Sequence, residues 1–140
     1  MMDSSTQEKL QKTYYEMHLL GQQIKQVQQQ LQTIDSQLEE LDKTADSVES
    51  LNNIRKGSEI FVSISPGIFA KAEITDTENL LLNVGAGTGV QKSVPDTVAL
   101  IREQISEIGA YREKMTEQLE LLTHKGARFE KEMEELGKKG

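Results

Sequence analysis

Three glycines at alternate positions, Gly85, Gly87 and Gly89, lie in the stretch NVGAGTGV. Glycine-rich loops of this kind can wrap around a phosphate group. In a dinucleotide-binding fold, however, the spacing is G-x-G-x-x-G and the glycines lead directly into a helix whose N-terminus faces the pyrophosphate. Here the spacing is G-x-G-x-G, another strand is predicted before the next helix, and no Gly-Lys-Ser/Thr follows. We therefore predict a flexible hairpin loop and no bound nucleotide or other cofactor.

The ionisable side chains give no stronger indication of catalysis. His18 and His124 have no second His or Cys at ligand spacing, so we predict solvent-exposed histidines and no metal site. Pairs of carboxylates could act as acid and base, but the heptad pattern described below predicts a narrow coiled coil, which has no desolvated cleft to separate their pKa values. The carboxylates in question are Glu39, Glu40, Glu132, Glu134 and Glu135. The sequence predicts a protein that is not an enzyme.

Composition limits the other classes of function. The 140 residues include 28% charged and 4% aromatic residues and no Trp, which is poor material for a thick globular core. A net charge of −7 argues against nucleic acid as the main partner. The absence of Cys is compatible with a reducing cytoplasm. With no signal-peptide pattern and no apolar run of about 18 residues, we expect a cytoplasmic protein without a membrane partner.

Both ends of the chain show the heptad pattern of a coiled coil, in which apolar residues recur at alternating steps of three and four. The seam from Leu10 to Asn52 has eleven apolar residues in thirteen positions, and so has the seam from Val94 to Leu136. Seams of equal length predict two antiparallel helices with Leu10 beside Leu136 and Asn52 beside Val94. The alternative, an ordinary helical bundle, would show a wider apolar face.

Capping residues define the predicted helix ends. Gly57 follows two basic residues and fits a left-handed C-terminal cap, so the first coiled-coil helix is predicted over residues 1–56. Ser93, with Asp96 three residues on, fits a capping box and predicts a second coiled-coil helix over residues 94–140.

Residues 57–93 are predicted to form two β-hairpins. SEIFVSIS and IFAKAEIT flank the turn SPG, and LLLNV and VQKSV flank the glycine loop. One chain cannot cover both faces of such hairpins, so hairpins from several subunits would complete a closed barrel. The predicted fold class is therefore α+β, one structural domain in which a long antiparallel two-helix coiled coil carries a central oligomerisation platform. The expected interface residues are Ile60, Val62, Ile64, Ile74, Leu80, Leu82 and Val84.

The order helix, two hairpins, helix, together with DTENLLLNVGAGTGVQKSV at the second hairpin, resembles the alpha subunits of the prefoldin family, particularly the archaeal kind. Two hairpins rather than one distinguish alpha-type from beta-type subunits of that family. The resemblance implies a hexamer of two alpha and four beta-type subunits with a double β-barrel platform. It also implies an ATP-independent chaperone that captures unfolded proteins and passes them to a group II chaperonin.

Apolar residues off the seam cluster near both chain ends, and with the seam residues beside them they would form an adaptable, Met-containing surface for unfolded proteins. The expected client-binding residues are Leu10, Tyr14, Tyr15, Met17, Leu19, Leu20, Leu121, Leu122, Phe129, Met133 and Leu136. The alternative function is a coiled-coil tether or scaffold, which would need neither exposed apolar residues nor a barrel-forming insert.

The glutamine-rich stretch GQQIKQVQQQLQ is predicted to coat the outer face of the first helix. An uncharged surface that tolerates varied clients is the other interpretation of this stretch.

Overall fold

The structure is a computed structural model that describes residues 3–138. The chain forms a long helix, two antiparallel β-hairpins and a second long helix, in that order, which confirms the predicted α+β class. The elements are α1 (Ser4–Glu49), a 3-10 helix (Ser50–Asn53), β1 (Glu59–Ser65), β2 (Ile68–Glu73), β3 (Asn79–Asn83), β4 (Gly89–Ser93) and α2 (Val94–Lys138).

The chain divides into two compact units, each formed by segments that are distant in sequence. Unit 1 comprises the described residues of Met1–Gln37 and Ile108–Gly140, and unit 2 is Leu38–Glu107. Unit 1 is therefore built from parts of both helices. Unit 2 holds the remaining helical turns and both hairpins.

The predicted seam is the buried face of unit 1. Leu20, Val27 and Ile34 of α1 and Met115 of α2 are each less than a tenth exposed. Since an α-helix has 3.6 residues per turn, these positions form one stripe along each helix. Complete burial of each such side chain is worth about 1.5–3 kcal/mol relative to exposure, so the stripe holds the two helices together.

Unit 2 also has buried seam residues. Ala45 is fully buried, and Val94 and Ile101 are nearly so. Thr97 is also buried, and its hydroxyl donates to the Ser93 carbonyl oxygen at 2.8 Å. This bond satisfies a polar group that would otherwise be costly to bury.

The first helix ends at Glu49 rather than at the predicted residue 56. After the 3-10 helix, Ile54 is extended, with φ −103° and ψ 133°. The sequence SLNN favours this end because short polar side chains compete with helical backbone bonds. Gly57 does have a positive φ of 92°, but its N–H donates to the carbonyl oxygen of Ile74, just after the first hairpin, at 2.7 Å. The prediction that Gly57 caps the helix is therefore wrong.

The start of the second helix agrees with its predicted cap. The Ser93 hydroxyl oxygen accepts a hydrogen bond of 3.2 Å from the backbone N–H of Asp96. This bond satisfies one of the N–H groups that the first helical turn leaves without a backbone partner.

Each hairpin is a separate two-stranded sheet. Val62 pairs with Ala70 in the first, and its register shifts by a β-bulge between Ser63 and Ser65. Leu82 pairs with Val90 in the second. The four strands were predicted at these places along the chain.

The loop between β3 and β4 explains why glycines recur there. Gly85, Ala86 and Gly87 all have positive φ, of 110°, 50° and 72°. The Thr88 N–H donates to the carbonyl oxygen of Gly85 at 2.9 Å, and the Val84 N–H donates to the carbonyl oxygen of Thr88 at 3.0 Å. Glycine adopts left-handed conformations at little steric cost, so Gly85 and Gly87 close the predicted hairpin loop, whereas Gly89, predicted in the loop, is the first residue of β4.

Candidate functional site

Five large apolar side chains are exposed among the described residues of unit 1. We call the four that were predicted to bind clients, Tyr14, Tyr15, Leu19 and Leu121, the unit 1 apolar surface; the fifth is Tyr111. Tyr14 and Tyr15 are 66% and 62% exposed, Leu19 is 41% exposed and Leu121 is 71% exposed. Tyr15 and Leu19 lie four residues apart on α1 and therefore share a helix face. Tyrosine combines a large apolar ring with a polar hydroxyl, which suits a surface that is hydrated in the free protein and covered when a partner binds.

The other seven predicted client-binding residues belong to the seam. Leu20 is buried against α2, and its six fellow members are half-buried. These six are Leu10, Met17, Leu122, Phe129, Met133 and Leu136. The prediction therefore combines two groups, one accessible as the chain stands and one that local separation of the helices would expose further.

Phe129 connects the seam to the surface of unit 1. Its ring lines a cleft of about 410 Å³ together with Leu19 and Leu20. The ammonium of Lys125 lies 5.9 Å from the ring centroid, at cation–π distance. An apolar group that enters this cleft would meet both an exposed leucine and a seam aromatic.

The predicted interface residues of the hairpins fall into two classes of exposure. Ile64 and Val84 are more than half exposed and Val62 is 39% exposed. The remaining four are half-buried, namely Ile60, Ile74, Leu80 and Leu82.

Sequence reasoning missed the apolar side chains on the opposite hairpin faces. The strand register places Phe61 and Phe69 on the face opposite to Val62, because side chains alternate along a strand. Both phenylalanines are more than half exposed, and so is Leu81 of the second hairpin. The prediction considered only every second residue of each strand, and therefore one face of each hairpin. The apolar residues at the intervening positions were the signal that could have identified the other face.

An ion pair joins the two helices of unit 1 at a seam position. The Arg112 Nε donates to Asp35 Oδ1 at 2.5 Å, and Arg112 is half-buried. This hydrogen bond, with the attraction of the guanidinium, holds the pKa of the Asp35 carboxyl below its ordinary value. The carboxylate is thus firmly ionised and suited to structure rather than proton transfer.

Unit 2 has its own ion pairs between the helices. The Arg102 guanidinium lies 2.8 Å from Asp42, 3.4 Å from Asp46 and 3.8 Å from Glu49. The hydrogen bond to Asp42 is the main reason that the pKa of Arg102 is raised.

Charge is unevenly divided between the units. The sequence of unit 2 contains twelve Asp and Glu residues but only six Lys and Arg residues. The other half of the chain has eleven acidic and ten basic residues. Because unit 1 is close to neutral, contacts there depend on apolar area and hydrogen bonding more than on long-range attraction.

Three further observations apply to the described residues. Among residues 3–138, no group of three or more His, Cys, Asp or Glu side chains is arranged to hold a metal ion. Within the same residues, neither helix contains an apolar stretch long enough to cross a bilayer. His18 and His124 are both exposed.

Comparisons with known proteins point to one family. The Prefoldin family model, described as prefoldin subunit, matches residues 20–139. The chain is 27% identical over 128 residues to prefoldin subunit alpha of Methanococcus aeolicus, which covers 91% of this chain and 87% of that protein. It is 31% identical over 99 residues to prefoldin subunit alpha 1 of Thermococcus kodakarensis, with 71% and 68% covered.

A solved structure has the same fold. The cryo-EM structure of filamentous PFD from Methanocaldococcus jannaschii aligns with a TM-score of 0.71 and 14% identity, over 78% of this chain and 90% of that one.

Proposed function

The chain belongs to the prefoldin family as an alpha subunit, and from this we propose that it captures unfolded proteins without ATP on the unit 1 apolar surface. Prefoldin subunits are chaperones. The observation that carries the proposal is the exposure of Tyr14, Tyr15, Leu19 and Leu121 together on one unit. Single exposed apolar residues are ordinary, whereas four large ones on the same unit support a contact surface there.

Capture on this surface depends on the burial of apolar area. Each contact with an unfolded chain is weak, because about 25 cal/mol is gained per Å² buried and ordering both partners opposes it. Several such surfaces on one assembly would hold one client together, since the first contact raises the effective concentration for the next. Salt screens charges rather than apolar contacts, so capture should depend only mildly on ionic strength.

The half-buried seam residues extend the proposed surface. Met17, Phe129 and Met133 would be exposed further if the helices separated locally. Methionine side chains are flexible and polarisable, which lets one surface fit many client sequences.

The assembly that presents these surfaces is also part of the proposal. The exposed apolar residues on both faces of the hairpins, and strands that pair only in twos, support docking against other subunits. We infer a hexamer of two alpha and four beta-type subunits whose hairpins, with Ile60, Val62, Ile64, Ile74, Leu80, Leu82 and Val84, form the platform. Delivery of clients to a group II chaperonin in the cytoplasm is inferred from family membership alone.

A truncated chain tests the proposal. Removing residues 1–20 and 123–140 deletes most of the apolar surface but keeps the facing pair Ile24 and Leu122 and all four strands. The truncated chain should still assemble with a beta-type subunit, as measured by mass. It should no longer suppress the aggregation of a chemically denatured client, as measured by light scattering.

A milder variant separates lost contacts from lost structure. Tyr14→Ser with Leu121→Ser removes two exposed apolar side chains, and Gln22→Ser with Glu120→Ser changes exposed polar positions on the same helices. Only the first pair should weaken suppression of aggregation. If the truncated chain suppresses aggregation as well as the full chain, the surface lies elsewhere; if the full chain does not suppress it at all, the tether function is favoured.

A further inference from the structure

We propose that a second surface on unit 1, a groove rimmed by side-chain amides, binds the backbone of an extended, uncharged polypeptide segment. The inference rests on the proposed function and adds a contact surface separate from the unit 1 apolar surface. The groove, which we call the amide groove, has a volume of about 400 Å³. Its rim is formed by Gln26, Gln29, Gln30, Thr33, Gln37 and Tyr111.

The base of the amide groove is apolar. It contains Ile34 and Met115, which are 7% and 4% exposed, so the groove reaches down to the seam. Tyr111 is 57% exposed and forms a wall. An apolar base with a few polar groups at the edge is the usual character of a ligand-binding groove.

The rim amides match the hydrogen-bonding groups of a peptide backbone. A glutamine side chain offers one carbonyl acceptor and two N–H donors, as complementary partners for backbone N–H and C=O groups. Gln26, Gln29, Gln30 and Gln37 are exposed, and among the described residues their side-chain amides make no hydrogen bond within the protein; Thr33 donates its hydroxyl to the backbone carbonyl oxygen of Gln29 at 3.2 Å. These amides can therefore exchange water for a bound chain without breaking a bond within the protein.

The absence of charged residues from the lining of the amide groove indicates which ligand would bind there. All eight residues that line the amide groove are uncharged, in a chain with 28% charged residues. The neighbouring Arg112 and Asp35 bond to each other. A charged side chain in the groove would lose hydration without gaining an opposite charge, so the matching ligand is uncharged.

The amides at the rim and the length of the groove favour an extended segment over a helix. A helix has already satisfied its backbone groups, whereas an extended chain presents them to the rim. From Gln26 to Gln37 the helix rises about 16 Å, which is the length of roughly five extended residues. Every unfolded protein offers such a segment, so recognition through the backbone would tolerate many sequences.

A titration with one defined peptide tests the amide groove. The probe is a capped peptide of about ten residues, composed of serine, asparagine, glycine and leucine, added to the full-length assembled protein in a calorimeter. Gln30→Glu places a charge on the rim and should weaken binding about tenfold because the charge loses hydration. Gln32→Glu makes the same change on the same helix at a position that does not line the groove, and it should bind like the unaltered protein.

Two results would overturn the amide groove. One is equal affinity of the Gln30→Glu and Gln32→Glu proteins for the peptide, with helix content unchanged by circular dichroism. The other is the absence of binding to the unaltered protein. A protein that still suppresses client aggregation in either case keeps the proposed function and loses only the groove, whereas peptide binding without suppression removes the proposed function and keeps the groove.

Discussion

Gly126 of α2 lies opposite Leu20 of α1, and a methyl group added to the glycine would lie 3.5 Å from Leu20 Cδ2. This is an ordinary contact distance, so the site has room for a side chain that the protein does not supply. Leu20 is itself 5% exposed. The half-buried glycine therefore weakens the packing of unit 1 against a buried leucine, next to the proposed client-binding residues.

Gly126→Ala should stabilise the helix pair of unit 1. Alanine has a helix propensity about 1 kcal/mol better than glycine, and its methyl group would contact Leu20. We expect slower hydrogen exchange of the amides around residues 14–24 and weaker capture of bulky clients. Mass spectrometry of exchange measures the first effect.

Gly21→Ala is the matched control for this substitution. Gly21 is exposed, and no atom lies within 4 Å of an added methyl group, so this change gains helix propensity alone. The slowing should be larger for Gly126→Ala. Equal slowing in the two proteins would show that the contact with Leu20 contributes nothing.

Ser93→Ala should destabilise the start of α2. The change removes the oxygen that accepts the Asp96 N–H, and loss of such a cap costs about 1 kcal/mol. Urea unfolding followed by circular dichroism should show a lower midpoint. Ser93→Asp keeps an acceptor and should unfold near the original midpoint; a comparable drop for both variants would contradict the cap.

Leu82→Glu should break the proposed platform. Leu82 is half-buried beside Val90 in the second hairpin, and a glutamate in an assembled interface would be buried without a partner. Light scattering should give a smaller mass while circular dichroism shows intact helices. Thr88→Glu, in the exposed hairpin loop, is the control and should leave the mass unchanged. An unaltered assembly in the Leu82→Glu protein would reject the interface.

Asp76→Asn should make the free energy of unfolding less dependent on pH in the acidic range. Asp76 accepts backbone N–H bonds from Glu78 at 2.8 Å and Asn79 at 3.0 Å, and these bonds hold its pKa below the ordinary value. A carboxyl with a depressed pKa stabilises the fold above its unfolded pKa and loses that contribution as the pH falls through its folded pKa. The urea midpoints of the two proteins should therefore differ most near neutral pH and converge below about pH 4. A constant difference would contradict this role.

The sequence predicted the elements whose signals repeat along the chain. The seam through Leu20 and Ile101 repeats over many turns, so one irregular position does not hide it. The end of α1 was predicted seven residues too far because Gly57 resembles a cap, while the local competition from Ser50 produces a weaker pattern.

The candidate surfaces were predicted less completely. Exposure of Tyr14 follows from its position off the seam, which the heptad pattern gives directly. The amide groove brings Tyr111 beside glutamines more than seventy residues earlier in the chain. A single sequence does not reveal such a neighbour until the register of the two helices is fixed, and the bond between Arg112 and Asp35 escaped prediction for the same reason.

The ion pairs of the two units differ in redundancy, and this has a consequence for sequence drift. Arg102 has carboxylate oxygens of Asp42, Asp46 and Glu49 within 3.8 Å, so a substitution at any one of them leaves the guanidinium two partners. For Arg112 the described structure supplies Asp35, and a change at that single position removes the pair. Unit 2 can thus accumulate neutral replacements among its acidic residues, whereas in unit 1 the arginine and its aspartate can change safely only together.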